Sequence, residues 1–211
     1  MGATARLHDL FQVKNIPGML AAVFLAGCLL TGCQSQARIA SPSGKAQSTR
    51  NNCYSLLHQL LDDQKDVSIL RFIKREHSDV KNLVKKIATT SGAGSKLLEE
   101  FAKKDPLLNL DATRLPPGET ATRDAIASTK KHELLSRTGD EFELTLLLTQ
   151  TEALSYAWHL AQVASENDSQ PDRARALASV SGEMKNLYQE VFALLLSKTK
   201  SSASNQVAAQ R

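Results

Sequence analysis

The side chains that could do chemistry lie along one helix-forming stretch. Glu152 and His159 are seven residues apart, which places them on the same side of a helix, and Glu141 lies further along. A carboxylate and an imidazole can share a metal ion, but two helical turns separate this pair by about 10 Å. One ion would need help from another helix, such as His132 or Glu133. The spacing leaves two interpretations open, a solvated polar strip and a candidate polar site.

Gln150 lies two residues before Glu152 and is either a satisfied interior amide or a ligand. Other groupings that carry chemistry are missing from the sequence. It has no Glu-x-x-His pair of the kind that di-iron bundles need, no serine in a nucleophile elbow, no glycine-rich loop after a strand and no cysteine pair with metal spacing. We therefore expect no catalytic residue and no metal site.

The elements that must position these residues are helices. From residue 52 onward the apolar residues recur every three or four positions, without strand-like alternation. The first predicted helix begins at "YSLLHQLL" (54–61), and residues 66–76 either continue it or form a short second helix. A long helix is predicted after Ser78, which is expected to be its N-cap. Further helices are predicted over 120–136, from Asp140 to about Ser165, and over 172–197. The helix from Asp140 to about Ser165 is apolar on two sides and should be central in the bundle.

The fold class that follows is all-α. We expect an up-and-down four-helix-type bundle over residues 52–198, with one or two short extra helices, and a disordered tail over 199–211. The "TTSGAGS" stretch (89–95) should bend its helix or let a neighbouring helix approach closely. Cys53 lies among leucines, as a small buried residue would, although a lone thiol could also pair with another chain.

The first 32 residues have the layout of an export signal. Arg6 and Lys14 give the first part of this segment a positive charge, and Ile16 to Leu30 form an apolar run of about 15 residues. A membrane-spanning helix needs about 20 apolar residues, so this run is too short to cross a bilayer. The run ends in two overlapping patterns, Leu25-Ala26-Gly27-Cys28 and Leu30-Thr31-Gly32-Cys33.

These patterns resemble the bacterial lipoprotein signal. Cleavage before Cys33 leaves a polar start at Gln34, whereas cleavage before the alternative, Cys28, leaves two leucines, so we favour Cys33. The resemblance implies covalent acylation of that cysteine, firm membrane anchoring by several chains and no other cofactor. Because Gln34 is not aspartate, it further implies the outer membrane, facing the periplasm. Residues 34–51 read as a tether, about 60 Å long when fully extended.

The charge excludes one class of partner. The net charge of +4 falls to +3 when residues 1–32 are removed, because Arg6 and Lys14 leave together with Asp9. So mild an excess is no footprint for nucleic acid. The expected partners are the membrane, through the lipid anchor, and an envelope protein.

The helical region also carries a resemblance. "SDVKNLVKKI", "TGDEFELTLLLTQTEAL" and "RARALASVSGEMKNLYQEVFALL" resemble, in this order, the ferritin-like bundle domain of exported bacterial proteins of unassigned function. In that family we expect a histidine four residues after a glutamine of the central helix, but here Leu154 follows Gln150 at that spacing. The resemblance covers residues 52–198.

Three functions fit these observations. The first is a tethered, non-catalytic helical domain with a structural or protein-interaction role in the cell envelope. The second is a ferritin-like metal-binding or redox domain, which rests on analogy of fold. The third is a carrier of an apolar ligand between the helices.

Overall fold

A computed structural model describes residues 42–67, 77–111 and 115–209 of the chain. Within these ranges the chain forms five α-helices and no strand, which confirms the all-α prediction. The helices are α1 (Pro42–Lys65), α2 (Ser78–Lys104), α3 (Pro117–Ser136), α4 (Gly139–Glu166) and α5 (Pro171–Ala209). The predicted export signal, with Cys28 and Cys33, lies outside the described residues, as does nearly all of the segment 66–76.

Four of these helices form a bundle. α1, α2, α5 and α4 pack side by side in that cyclic order, and α3 packs on the outside of α4. α4 contributes the largest share of the core, as expected for the central helix. The largest fully buried side chains are Tyr54, Phe142, Leu57, Leu61, Ile87, Leu98, Leu146, Leu147, Leu154, Leu177, Met184 and Leu187. No helix in the described ranges is both long and apolar enough to span a bilayer.

Both ends of the helical region extend beyond their predicted limits. α1 begins at Pro42, so residues 42–51 are helical where the composition indicates a flexible tether. Proline suits a first helical turn because it has no N–H to leave unpaired, and Arg50 is buried against the bundle. α5 continues past Ser197 to Ala209, into the segment predicted to be a disordered tail. Hydrophobic periodicity does not detect helical turns that carry few apolar residues.

α2 corrects one prediction and supports one of two alternatives. Ser78 is the first helical residue and not the N-cap, a position that His77 occupies without a capping side-chain bond. The helix runs unbroken through Gly94, where a Cβ would lie 2.9 Å from Cδ1 of Leu61. The glycine therefore lets α1 approach α2 closely.

The turn between α4 and α5 is held by four side chains, Tyr54, Asp105, Asp168 and Arg173, which we call the turn network. The Tyr54 hydroxyl donates to Asp168 Oδ2 at 2.6 Å. Arg173 donates to both Asp168 oxygens at 3.0 Å and to Asp105 at 2.7 Å. Burial opposes the ionisation of Asp168, but the hydrogen bonds from Arg173 and Tyr54 outweigh it and lower the pKa of this carboxyl. Every charge in the turn network therefore has an opposite partner.

Cys53 is buried on α1 and has no disulfide partner among the described residues. Burial raises the pKa of its thiol. Because the thiolate is the reactive form, Cys53 is poorly suited to pairing with another chain, and its position agrees with the alternative of a buried helix residue.

Candidate functional site

The predicted polar strip lies on the outside of α4. Glu141, Glu152 and His159 are exposed. Lys130 donates to Glu152 at 3.3 Å, and Nδ1 of His159 lies 2.7 Å from the carbonyl oxygen of Ser155. Among the described side chains, the strip and His132 form no group within reach of one ion. Glu152 and His159 therefore have local partners and Glu141 is exposed, as in a solvated polar face.

Gln150 has a different environment. It is 2% exposed, and its Oε1 is buried without a hydrogen-bond partner in the described part of the chain. A buried amide oxygen without a partner is costly, by about 1–3 kcal/mol, and most buried polar atoms avoid this state. Of the two sequence alternatives, an unpartnered buried oxygen favours a ligand over a satisfied interior amide.

Gln150 lines a cleft between α1, α3 and α4. The cleft has a volume of about 320 Å³, which lies in the range of small-molecule sites. Apart from a few polar residues, its walls are mostly apolar. The apolar lining residues are Leu60, Val67, Ile126, Ala127, Leu134, Ala153 and Tyr156.

The cleft is open because α3 covers it incompletely. Leu134 is the buried residue of α3, while Ile126, two helical turns earlier, lines the cleft and is still 53% exposed. On α1, the lining positions Leu60 and Gln64 are four residues apart and lie on one face, and Val67 follows just after the end of the helix. Three helix faces thus meet around an apolar space that none of them fills.

A second unpartnered oxygen lies in the same cleft. Within the described ranges, three buried side-chain oxygens have no hydrogen-bond partner, and two of them, Oε1 of Gln64 and Oε1 of Gln150, belong to residues that line the cleft. The third belongs to Ser91 of α2. Two acceptors without donors in one apolar space are what a bound donor-bearing molecule would satisfy.

Charged groups surround the mouth of the cleft. Arg123 donates to Glu119 at 2.7 Å, and its guanidinium lies 4.9 Å from the centre of the Tyr156 ring. Asp63 is exposed at the mouth, yet desolvation by the surrounding protein, together with Asp62 and Asp66, raises its pKa to about 6. The arginine has a partner, whereas the charge of Asp63 is poorly compensated.

Two groups of described residues have donor atoms close enough to hold a metal ion. The first comprises His58, Asp62 and Glu99, whose donor atoms lie within 4.8 Å of one another. Nε2 of His58 is 3.5 Å from Glu99. The Lys65 ammonium, however, already bonds to the Asp62 carboxylate. A metal ion would have to displace this ammonium.

The second group comprises His77, Asp140 and Glu143. The buried Glu143 accepts hydrogen bonds from the backbone N–H of His77 and, at 2.9 Å, from the Lys198 ammonium. Burial opposes the ionisation of Glu143, but these bonds outweigh it and lower the pKa of the carboxyl. Lys198 also lies 3.3 Å from Asp79. We call His77, Asp79, Glu143 and Lys198 the Glu143 network, in which lysine already supplies the positive charge.

Aromatic rings line the outer surface of α4 and α5. The ring centres of Trp158 and Tyr188 are 6.1 Å apart, and those of Tyr188 and Phe192 are 6.0 Å apart. Phe192 is 42% exposed, and Leu196, one turn further along α5, is similarly exposed. We call these four residues the aromatic strip. Exposed apolar side chains that form a contiguous patch are typical of a binding surface.

Sequence reasoning found two residues of the cleft, Gln150 and Glu152, and missed the rest of its lining. Gln150 was a candidate because it is polar in an apolar helix, but Gln64 and Asp63 lie in a segment with no chemical motif. The pairing of His58 with Glu99 joins α1 to α2 and has no sequence signal either. Contacts between helices depend on packing, which spacing along one helix does not specify.

Comparison with known proteins returns no match, whether the chain is compared with protein-family models, curated proteins or solved structures. The resemblance of residues 52–198 to a ferritin-like domain therefore stays a prediction. What the site can do has to be argued from its own geometry and chemistry.

Proposed function

We propose that this chain is a membrane-tethered binding protein whose helical domain holds a small, largely apolar molecule in the cleft between α1, α3 and α4. One observation carries the proposal, the pair of unpartnered amide oxygens of Gln64 and Gln150 in an apolar space. A folded domain gains nothing from leaving such oxygens unpaired, whereas a ligand that donates to them gains orientation as well as affinity. Of the three sequence hypotheses, this geometry favours the apolar-ligand carrier.

The location of the domain is part of the same proposal. The lipoprotein-type signal ending at Cys33 supports anchoring in the outer membrane on the periplasmic side. There a soluble cleft would hold molecules that partition into lipid and would otherwise stay in the bilayer. The all-helical arrangement agrees with this role, because spaces between packed helices commonly form ligand sites.

The proposal is tested by filling the cleft. Ala127→Phe places a ring at a lining position of α3, and Ala121→Phe makes the same change at an exposed position of that helix outside the cleft. We expect the full-length chain, purified from cells, to retain a small apolar molecule in stoichiometric amount by native mass spectrometry. Ala127→Phe should lose this molecule and Ala121→Phe should keep it. Equal retention by both variants, or no retained molecule in the unmodified chain, would contradict the proposal.

A second function, binding of an envelope protein, is favoured by the aromatic strip. Aromatic side chains are enriched in the centres of protein interfaces, and Phe192 and Leu196 are exposed on the same face of α5. A photocrosslinking residue at Phe192 should capture a discrete partner in cells, whereas one at Glu183, exposed on the same helix, should not. The same crosslinked bands from both positions would argue against a specific partner surface.

A further inference from the structure

The polar groups of the cleft indicate which charge its ligand carries. This inference rests on the proposed function, since it concerns the same cleft. Its buried polar atoms without partners, Oε1 of Gln64 and Oε1 of Gln150, are both hydrogen-bond acceptors. A ligand that satisfies them must carry N–H or O–H donors, and a carboxylate or a phosphodiester has none.

The cations at the mouth of the cleft already have partners. Lys130 bonds to Glu152, and Arg123 bonds to Glu119 while its guanidinium lies over the Tyr156 ring. An anionic ligand would have to compete with these carboxylates for each cation. Its binding would therefore replace existing ion pairs and gain little.

The carboxylates of α1 are in the opposite situation. Asp63 lies near Asp62 and Asp66, which repel its charge, and Lys65, the cation nearest to it in sequence, bonds to Asp62. Desolvation and this repulsion raise the pKa of Asp63 to about 6. A positive group bound here would meet a carboxylate that has no ion pair with a described residue, in the cleft that Gln64 and Gln150 also line.

We infer that the ligand of the cleft is a cationic amphiphile, an apolar chain or ring system that carries an ammonium group. The apolar part would lie against Leu60, Ile126 and Leu134. An ammonium group has three donors, enough for the Asp63 carboxylate and for the oxygens of Gln64 and Gln150. This ligand satisfies each unpartnered acceptor of the cleft at once.

Binding should strengthen as the pH rises from about 5 to about 7.5. An alkylammonium group, like a lysine side chain, stays protonated over this range, whereas Asp63 ionises near pH 6. Among the described residues, the other charged groups that line the cleft are Asp66, Arg123, Lys130 and Glu152, while Asp62 and Lys65 act on Asp63 from the same helix.

The test uses three probes of equal chain length, octylamine, octanol and octanoate. They are titrated into the full-length chain in lipid nanodiscs, with binding read from isoleucine methyl signals in NMR spectra. Ile126 lines the cleft and reports its occupation, while Ile87, fully buried in α2, reports that the bundle is intact. We expect octylamine to bind about tenfold more tightly than octanol, and octanoate to bind least.

Two variants assign this preference to Asp63. Asp63→Asn should remove the advantage of octylamine over octanol and its pH dependence. Asp124→Asn, which makes the same charge change at an exposed position of α3 outside the cleft, should keep both.

The outcomes separate this inference from the proposed function. Octanol binding without any preference for octylamine, or tighter binding of octanoate, would overturn the inference and leave an apolar-ligand cleft. The absence of a shift at Ile126 with all three probes would overturn both. A preference for octylamine that survives in Asp63→Asn would overturn the role of this carboxylate in recognition.

Discussion

The turn network and the cleft are two polar regions of one bundle with opposite states of satisfaction. In the turn network, the buried Asp168 receives hydrogen bonds from Tyr54 and Arg173, and Arg173 also reaches Asp105. In the cleft, Gln64 and Gln150 have buried oxygens without a partner among the described residues. Both regions use α1; the turn network lies just after the end of α4, and the cleft lies along the middle of α4. Neither the choice of helices nor burial alone therefore explains why one region is fully hydrogen-bonded and the other is not.

The contrast separates polar groups that hold the fold from polar groups that await a partner. A saturated buried network stabilises one conformation and leaves no capacity for a ligand. An unsaturated one costs stability in the isolated chain, and a ligand can repay that cost. Substitutions should therefore have opposite signs in the two regions, destabilising in the turn network and stabilising in the cleft.

The largest effect is expected for Arg173→Met. This change removes the cation from Asp168, whose side chain is fully buried, and from Asp105. Because it leaves an uncompensated buried charge, we expect the free energy of unfolding to fall by about 3–5 kcal/mol, measured by urea denaturation with circular dichroism. Arg175→Met is the matched control, since its ion pair with Asp172 is exposed, and should cost less than about 0.5 kcal/mol. Equal costs for the two variants would remove the distinction between network and surface pair.

A smaller loss is expected for Glu143→Gln, which tests whether a second saturated site behaves like the turn network. Loss of the charge-assisted bonds from His77 and Lys198 should cost about 2 kcal/mol at neutral pH. The pKa of Glu143 is lowered by folding, so its contribution is present above the unfolded pKa and is lost as the pH falls through the folded one. The cost should therefore shrink below about pH 4. Glu141→Gln, exposed on the same turn, should show neither the cost nor the pH dependence.

Gln150→Leu should reverse the sign. Leucine removes an acceptor that has no donor and adds an apolar group to an apolar cleft. We expect the ligand-free chain to gain about 1 kcal/mol of unfolding free energy, measured as above. Gln162→Leu, exposed on the same helix, should stay within about 0.5 kcal/mol of the parent. A loss of stability in Gln150→Leu would mean that its amide is satisfied in solution, and the contrast between the two regions would fail.

The smallest effect is expected for Asp63→Asn. Folding raises the pKa of Asp63 to about 6, so relative to the unfolded chain the carboxyl favours folding less once the pH rises through that value. The variant should be more stable than the parent at about pH 8, by about 1 kcal/mol or less because the group is exposed. The two should be equal at about pH 4. Thermal unfolding at both pH values measures this difference, and an advantage that is the same at both would contradict the raised pKa.

Sequence patterns predicted the helices well and their outer limits poorly. The central helix was expected from Asp140 to about Ser165 and spans Gly139–Glu166, because its apolar residues continue to its ends. The beginning of α1 at Pro42 was missed, since its first turns have polar residues that make no hydrophobic period. Periodicity reports burial, and helical turns with little buried surface leave no trace in it.

The cleft was only partly predictable for a related reason. Gln150 could be singled out as a polar residue in an apolar helix, but whether its oxygen has a donor depends on α1 and α3. The incomplete cover provided by α3 follows from its few buried residues, of which Leu134 is the example. A void between helices is set by what the packing fails to fill, and no residue marks it in the sequence.

The early beginning of α1 alters the reach of the domain. For a chain anchored through Cys33, residues 34–41 can extend to about 28 Å at most, and the 24-residue α1 adds a rigid arm of about 36 Å. The cleft residues of α1, from Leu60 onward, lie about 27 Å or more along this arm from Pro42. With a long flexible tether, the distance of the cleft from the membrane would vary widely. Because α1 is one continuous helix, the cleft instead lies at a fixed distance from Pro42, towards the end of the helix that is farther from the anchor.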